Sequence, residues 1–417
     1  MTRFLQKMKE YGKHTVAHQM SWYTLGQVAV QLFSFLGVIF TARYLGPVNL
    51  GLYSFVLNYL SVFLAVTAGM DFYFTWSIAK SENRIVDLKK YFGYKIQVTT
   101  ALSLIGVILA WIFLPKDVAQ LATIMFVPLI LSACTGFFQY AIVTQKAKLI
   151  AFFQILVASG LLLVKLLLIY MNAPLMAFVL VNALDLVLVA TLIAITYVSN
   201  KELRSSLSRV SYPSLFETVS FIYSIRFTIL VLALWQILLR VDQLVLATFS
   251  NAYSLGLYAV AVKISEVPNV LAGILATALI PYISSFMLKN DSHSKYRIRQ
   301  VMFTYFLSGV AIALGVILFA PYIVALLYGG QFTEAVPILR GYALSIPGMF
   351  VILHYFAIYG AIGKHTFQSV VFAGGLILNV GLVYLLSTLF GLVGVATATA
   401  ITYNLIALFF YFHLRKN

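Results

Sequence analysis

"LGLYSFVLNY" at Leu50–Tyr59 and "LGLYAVAVKI" at Leu255–Ile264 begin with the same four residues, 205 positions apart in a chain of 417. A second pair keeps nearly the same offset. "VATLIAITY" at Val189–Tyr197 and "VATATAITY" at Val395–Tyr403 agree at seven of nine positions, 206 apart. The offset is close to half the chain, so the sequence reads as two copies of one unit.

Composition says where those copies reside. Hydrophobic residues make up 62% and charged residues 10%, and mean hydropathy is strongly positive. A water-soluble domain cannot hide that much apolar surface, so the chain belongs in a bilayer. A spanning helix needs ~20 apolar residues, and about 35 residues per span with its loop gives about twelve spans. The expected spans are 21–42, 49–79, 91–114, 118–144, 149–171, 174–198, 214–250, 253–288, 299–327, 333–360, 365–387 and 391–413. The first apolar run is too long for a signal-peptide core and is read as a retained span. The single cysteine, Cys134, allows no internal disulfide.

The net charge of +16 reads as topology, not as nucleic-acid binding. With both termini cytoplasmic, inner segments hold 21 of the 28 lysines and arginines, and outer loops hold only Arg43 and Lys116. Alternate loops are basic, as the positive-inside bias requires. Both "LGLY" copies then fall at the outer start of a span, the second and the eighth, and the other pair falls in spans six and twelve. Six spans per copy give both copies one orientation, a parallel repeat of the kind that builds secondary transporters. The expected fold is an all-α polytopic membrane protein, with about 12 transmembrane helices in two pseudo-symmetric six-helix lobes around a central cavity. Residues 1–198 form the N-lobe, 199–213 a cytoplasmic linker and 214–417 the C-lobe.

Several chemistries lack their residues. "GAIGKHT" at Gly360–Thr366 resembles a phosphate loop, but position 358 is isoleucine and His365 stands where Ser or Thr should follow the lysine. No metal-binding or hydrolase motif is present, and no catalytic or metal-ligating set is assigned. His354 is the one histidine away from the ends of a span and the only handle for a membrane glycan-modifying enzyme.

Ionisable groups inside spans are costly and point to function. Arg240, Asp242, Lys263 and Glu266 lie at similar depth around the turn near Asn251, and read equally as two cancelling pairs or as a substrate site. Lys165, Arg226 and Arg340 stand against Asp71 and Asp185, while Lys95 is expected to snorkel to the inner surface. Glu217, Ser220, Ser224 and Thr228 form a polar stripe fit for a cavity wall, and Thr67, Asp71 and Thr75 form a second row. Arg226 lies about 160° from Ser224 on an ideal wheel, so it shares that wall only if the helix kinks. Pro268 and Pro281 in span eight, and Pro337 and Pro347 in span ten, are expected bends. Arg and Lys without a nucleotide engine suit an anion with a large polar body, whose bare transfer would cost on the order of 20 kcal/mol per charge.

"TARYLGPVNLGLYSF" at Thr41–Phe55, "LLRVDQLVLATFSNAYSLGLYAVAVKISEV" at Leu238–Val267, "APYIVALLYGGQF" at Ala320–Phe332 and "GLVGVATATAITY" at Gly391–Tyr403 resemble the O-antigen and polysaccharide flippases of Wzx type. Those belong to the multidrug, oligosaccharidyl-lipid and polysaccharide exporter superfamily. The resemblance implies transfer of undecaprenyl-pyrophosphate-linked oligosaccharide from the cytoplasmic to the periplasmic leaflet of the bacterial inner membrane. It implies a cationic cavity, which favours Arg226, Arg340, Lys165 and Lys263 as substrate-binding cations. Arg240, Asp242 and Glu266 are then structural or gating charges. Asp71 and Asp185 are candidates for coupling to a proton or sodium gradient, with membrane potential the alternative drive. No cofactor is expected. Expected partners are the lipid-linked oligosaccharide, membrane lipid and polysaccharide polymerase machinery, with no nucleic acid. A cation-coupled multidrug exporter of the same architecture is the main alternative.

Overall fold

The computed structural model describes residues 2–199, 212–287, 292–361 and 365–416. Most of the expected linker, and Lys364 with its inner turn, lie outside the described residues. Among those described the chain is helical, with no strand. Among the described residues seven helices are long and apolar enough to cross a membrane, and up to nine if each of two bent pairs is one span.

The first helix, α1 (Thr2–Lys80), shows how the sequence sets the turns. Its apolar part, Ser21–Lys80, has 60 residues, about 90 Å of helix against a hydrocarbon core of about 30 Å. It breaks at Gly46, φ 70°, immediately before Pro47. Only glycine takes that φ without strain, and the following proline forbids a helical residue before it. The chain continues with α2 (Arg84–Phe113), α3 (Lys116–Phe126), a 3₁₀ stretch Val127–Cys134, α4 (Thr135–Val143), α5 (Ala147–Tyr170) and α6 (Leu175–Val198). Gln145 and Asn172, both at positive φ, turn the chain before α5 and before α6.

In the second half, α7 (Leu215–Ser224), α8 (Arg226–Leu238) and α9 (Val241–Phe249) are pieces of one expected span. They lead to α10 (Ala252–Met287), α11 (Ser292–Tyr328), α12 (Ala335–Ala343), α13 (Ile346–Ala361) and α14 (His365–Lys416). The last of these breaks at Gly391, φ 58°, at the expected start of span twelve. The helices α12 and α13 meet at 47°. Pro347 lies in the first turn beyond that break, and Pro337 lies in the first turn of α12, where a missing N–H costs nothing. Pro337 is therefore not a bend.

Close contacts divide the chain into two compact units, Met1–Tyr44 with Val66–Ile229, and Leu45–Ala65 with Leu230–Asn417. Two stretches change sides relative to the division expected from sequence. Leu45–Ala65 packs with α10, because a Cβ at Gly51 would land on the Ala252 carbonyl, and a Cβ at Gly256 on the Pro47 carbonyl. Each glycine faces the carbonyl four residues before the other, so the "LGLY" repeat is a self-complementary contact. Leu215–Ile229 stays with the first unit through α2. Thr218 donates to Gln97 (2.7 Å), and Gln97 donates to the Pro213 carbonyl (2.9 Å). The Phe221 ring stacks on Tyr94 at 4.6 Å.

The second unit is built on aromatic residues, with Trp235, Tyr355, Tyr359, Phe372, Tyr403 and Phe410 buried together.

Candidate functional site

In the first unit, Asp71 on α1 is the hub of a closed network. Its Oδ1 accepts from Lys95 Nζ (2.5 Å), from the Tyr91 hydroxyl (2.6 Å) and from Thr135 (2.9 Å). The Lys95 ammonium also donates to Thr135. Lys95 is 1% exposed, so the expectation that it snorkels to the inner surface is wrong. A carboxylate at its own depth is a better partner than distant water, because each charge relieves the burial of the other. Thr75 donates to Gln139 at 2.8 Å. The Asp71 row is therefore tied to α2 and α4.

Lys165, expected among the cavity cations, is enclosed. It is 5% exposed, its stem lies where a Cβ on Gly37 would touch it, and it attracts Asp185 on α6.

Arg226 differs. The span that carries it bends by 70° between Ser224 and Arg226, supplying the kink that the wheel required. The Ser224 hydroxyl donates to the Phe221 carbonyl (2.7 Å), competing with the helix's own bonding. Arg226 is exposed. Its guanidinium donates to the Tyr223 carbonyl (2.7 Å) at the end of α7 and lies 4.0 Å from the Tyr223 ring centre. Glu217, Ser220 and Ser224 are exposed as well, whereas Thr228, beyond the bend, is half-buried.

In the second unit the same span breaks again before α9, at Arg240. Arg240 donates to Glu266 at 2.5 Å and Lys263 donates to the other Glu266 oxygen at 2.8 Å. The expected two pairs are instead one carboxylate shared by two cations, a group of net charge +1 with side chains 22–37% exposed. Asp242 is fully buried and held by hydroxyls. It accepts from Tyr258 (2.6 Å), from Thr399 (3.1 Å) and from the Gln243 N–H (2.8 Å). Nearby, Asn379 donates to Thr402 at 3.2 Å. Arg340 is exposed, with its Nε donating to the Ile317 carbonyl at 3.2 Å.

Broken helices and intramembrane charge are signatures of translocation pathways. Both arginines of the interrupted span stand at its breaks, a coincidence that sequence reasoning missed because neither break carries a proline. Among the described residues no group of three or more His, Cys, Asp and Glu could hold a metal ion.

The comparisons agree with that architecture. The lipid II flippase MurJ in an inward closed conformation superposes with a TM-score of 0.75 at 16% identity, covering 94% of this chain and 87% of that one. A multidrug resistance MATE family transporter of the MOP superfamily, inward-facing, gives 0.76 at 15% identity over 93% and 94%. The Vibrio cholerae MATE transporter VcmN, in its bent form, gives 0.61 at 14% over 97% and 96%. No curated protein sequence matches the chain. The fold is that of multi-span membrane flippases and exporters. Residues 16–287 match the family described as Polysaccharide biosynthesis protein, and the chain belongs to that family.

Proposed function

We propose that the protein is a flippase for undecaprenyl-pyrophosphate-linked oligosaccharide, the repeat unit of O antigen or a related surface polysaccharide. It moves this unit from the cytoplasmic to the periplasmic leaflet of the bacterial inner membrane by alternating access. The observation that carries the reading is the sign of the open charges. Among the candidate charges Arg226 and Arg340 are exposed and the Arg240–Lys263–Glu266 group carries a net positive charge, while Asp71 is ion-paired, Asp242 is buried and Glu217 is the one exposed acid. A set of that sign suits a pyrophosphate, and Arg presents two donors to its oxygens. An exporter of small cations would need the reverse.

Reading each long helix as two crossings, each bent pair as one and α10 as one gives twelve spans. Both termini then lie in the cytoplasm, supported by the 20 inner basic residues that remain once the buried Lys95 is set aside. Inside-negative potential favours expelling an anion, by about 2.3 kcal/mol per charge per 100 mV. A proton or sodium gradient would add to this through Asp71 or Asp185.

The test is deletion of the gene, followed by a polysaccharide gel and extraction of lipid-linked intermediates. The expected result is loss of polymer with single units accumulating on the cytoplasmic side. Units that reach the periplasm unpolymerised would mean an enzyme. Normal polysaccharide, with increased dye retention, would mean a drug exporter.

A further inference from the structure

Two exposed aromatic residues flank Arg226 in sequence and meet its guanidinium in space. The carbon of that group lies 4.0 Å from the centre of the Tyr223 ring and 4.7 Å from that of Phe227. The 70° bend between Ser224 and Arg226 leaves Tyr223 at the end of α7 and Phe227 at the start of α8, so the cation is set against both arms of the bend. Its bond to the Tyr223 carbonyl (2.7 Å) adds a third contact and uses one of its several donors. A long side chain on an open surface is thereby held in place before any ligand arrives.

The frame has surface to spare, because Tyr223 is 66% exposed and Phe227 49%. Beside it the chemistry of α7 changes. The helix is attached along one edge, where Thr218 bonds to Gln97 and Phe221 stacks on Tyr94. Of its two exposed flanks, one carries Glu217, Ser220 and Ser224, and the other Leu215 and Val219. On the helical wheel Ser220 stands about 60° from Tyr223 and Glu217 about 120°, so the polar flank begins beside the Tyr223 ring. The Ser224 hydroxyl donates to the Phe221 carbonyl, which leaves its oxygen to accept.

This combination selects its occupant. A bare anion needs the guanidinium but is repelled by Glu217 and gains nothing from the rings. An organic cation suits the rings and the carboxylate, but Arg226 already lies against both rings and repels it. A hydrocarbon chain leaves Glu217, Ser220 and Ser224 unused. A sugar that bears a phosphate uses every part. Its phosphate meets the arginine fork, the C–H face of its ring packs on an open aromatic face, and its hydroxyls donate to Glu217 and Ser224.

We propose that Tyr223 and Phe227 seat the sugar nearest the pyrophosphate, with Arg226 holding the phosphate beside it; the proposal rests on the flippase reading above. The seat lets the protein tell a loaded lipid carrier from an empty one, although both present the same pyrophosphate.

The test compares two lipids on the purified full-length protein by native mass spectrometry. One is the lipid-linked unit extracted from the deletion strain, and the other is sugar-free undecaprenyl pyrophosphate. Wild type should bind the sugar-bearing unit at least about tenfold more tightly, and the double variant Tyr223→Ala with Phe227→Ala should cut that preference below about threefold. Tyr223→Phe, which keeps the ring, should retain the preference, and Arg226→Ala should weaken both lipids. The substituted side chains are exposed, and thermal melting in detergent confirms that each variant is folded. An undiminished preference in the folded double variant would overturn the seat and leave the flippase reading intact, as would a wild-type protein that binds both lipids equally. Equal loss of both lipids in the double variant would make the rings mere supports for Arg226 and overturn the seat too. Binding of neither lipid by wild type would overturn both readings.

Discussion

Gly51 and Gly256 stand in reciprocal contact: each presents its Cα hydrogen to the carbonyl four residues before the other, Ala252 for Gly51 and Pro47 for Gly256. The two copies of "LGLY" meet there, which explains why a repeat so diverged elsewhere keeps these four residues. A methyl group at either position must push backbone apart, at about 1–3 kcal/mol of overpacking. Gly51→Ala and Gly256→Ala should each lower the melting temperature in detergent. Gly160 is the control, since a Cβ there meets nothing within 4 Å. Gly160→Ala should stabilise by about 0.5–1 kcal/mol through helix propensity. The same substitution thus has opposite signs at two kinds of helix position, and equal shifts would remove the seam.

The Lys95–Asp71 pair makes a stability prediction. Lys95→Ala leaves Asp71 inside the unit with only hydroxyl partners, a loss of about 3–5 kcal/mol for a fully buried pair and less here, because Asp71 keeps 18% exposure. The double variant Lys95→Met with Asp71→Leu should recover most of that loss. Thermal melting of the single and double variants in one detergent measures both. A double variant no more stable than Lys95→Ala would show that the hydroxyl partners, Tyr91 and Thr135, hold the region together.

Those two cases mark what could be read from the sequence. The all-helical, membrane-spanning class and the turns at Gly46 and Gly391 are legible because they follow from hydropathy and from residues with few conformational options. The pairing of Lys95 with Asp71 is not, because it depends on how two helices are rotated about their own axes. The same holds for Glu266, which recruits both Arg240 and Lys263, where the sequence read equally as two separate cancelling pairs or as a substrate site. The bend before Arg226 left only a weak trace in the sequence, a serine whose hydroxyl competes for a helix carbonyl.

Exposure separates the cations into two groups with different expected phenotypes. Arg226→Ala and Arg340→Ala should each reduce flipping at least tenfold with normal amounts of protein in the membrane. Arg226 also caps α7 through the Tyr223 carbonyl, a contribution of about 0.3–1 kcal/mol that leaves the fold intact. Lys165→Ala should instead lower the amount of folded protein, because it leaves Asp185 without its cation. Complementation of the deletion strain, with immunoblots of membranes and extraction of lipid-linked units, resolves the two. Full complementation by both arginine variants would remove these residues from the pathway.

His354 decides between transport and enzymatic chemistry. It is fully buried on α13, its ring lies 4.9 Å from that of Tyr305, and neither ring nitrogen has a hydrogen-bond partner in the structure. A buried polar group in that state costs about 1–3 kcal/mol. An aromatic hydrocarbon of similar size should therefore pack at least as well, and His354→Phe should raise the melting temperature while polysaccharide export continues. An enzyme that used this imidazole as its base or nucleophile would lose all activity in the same variant despite a stable fold. Measuring both quantities on one preparation keeps misfolding from being mistaken for lost chemistry. A folded His354→Phe protein that no longer supports polysaccharide, with units already on the periplasmic side, would transfer the function from flipping to glycan modification.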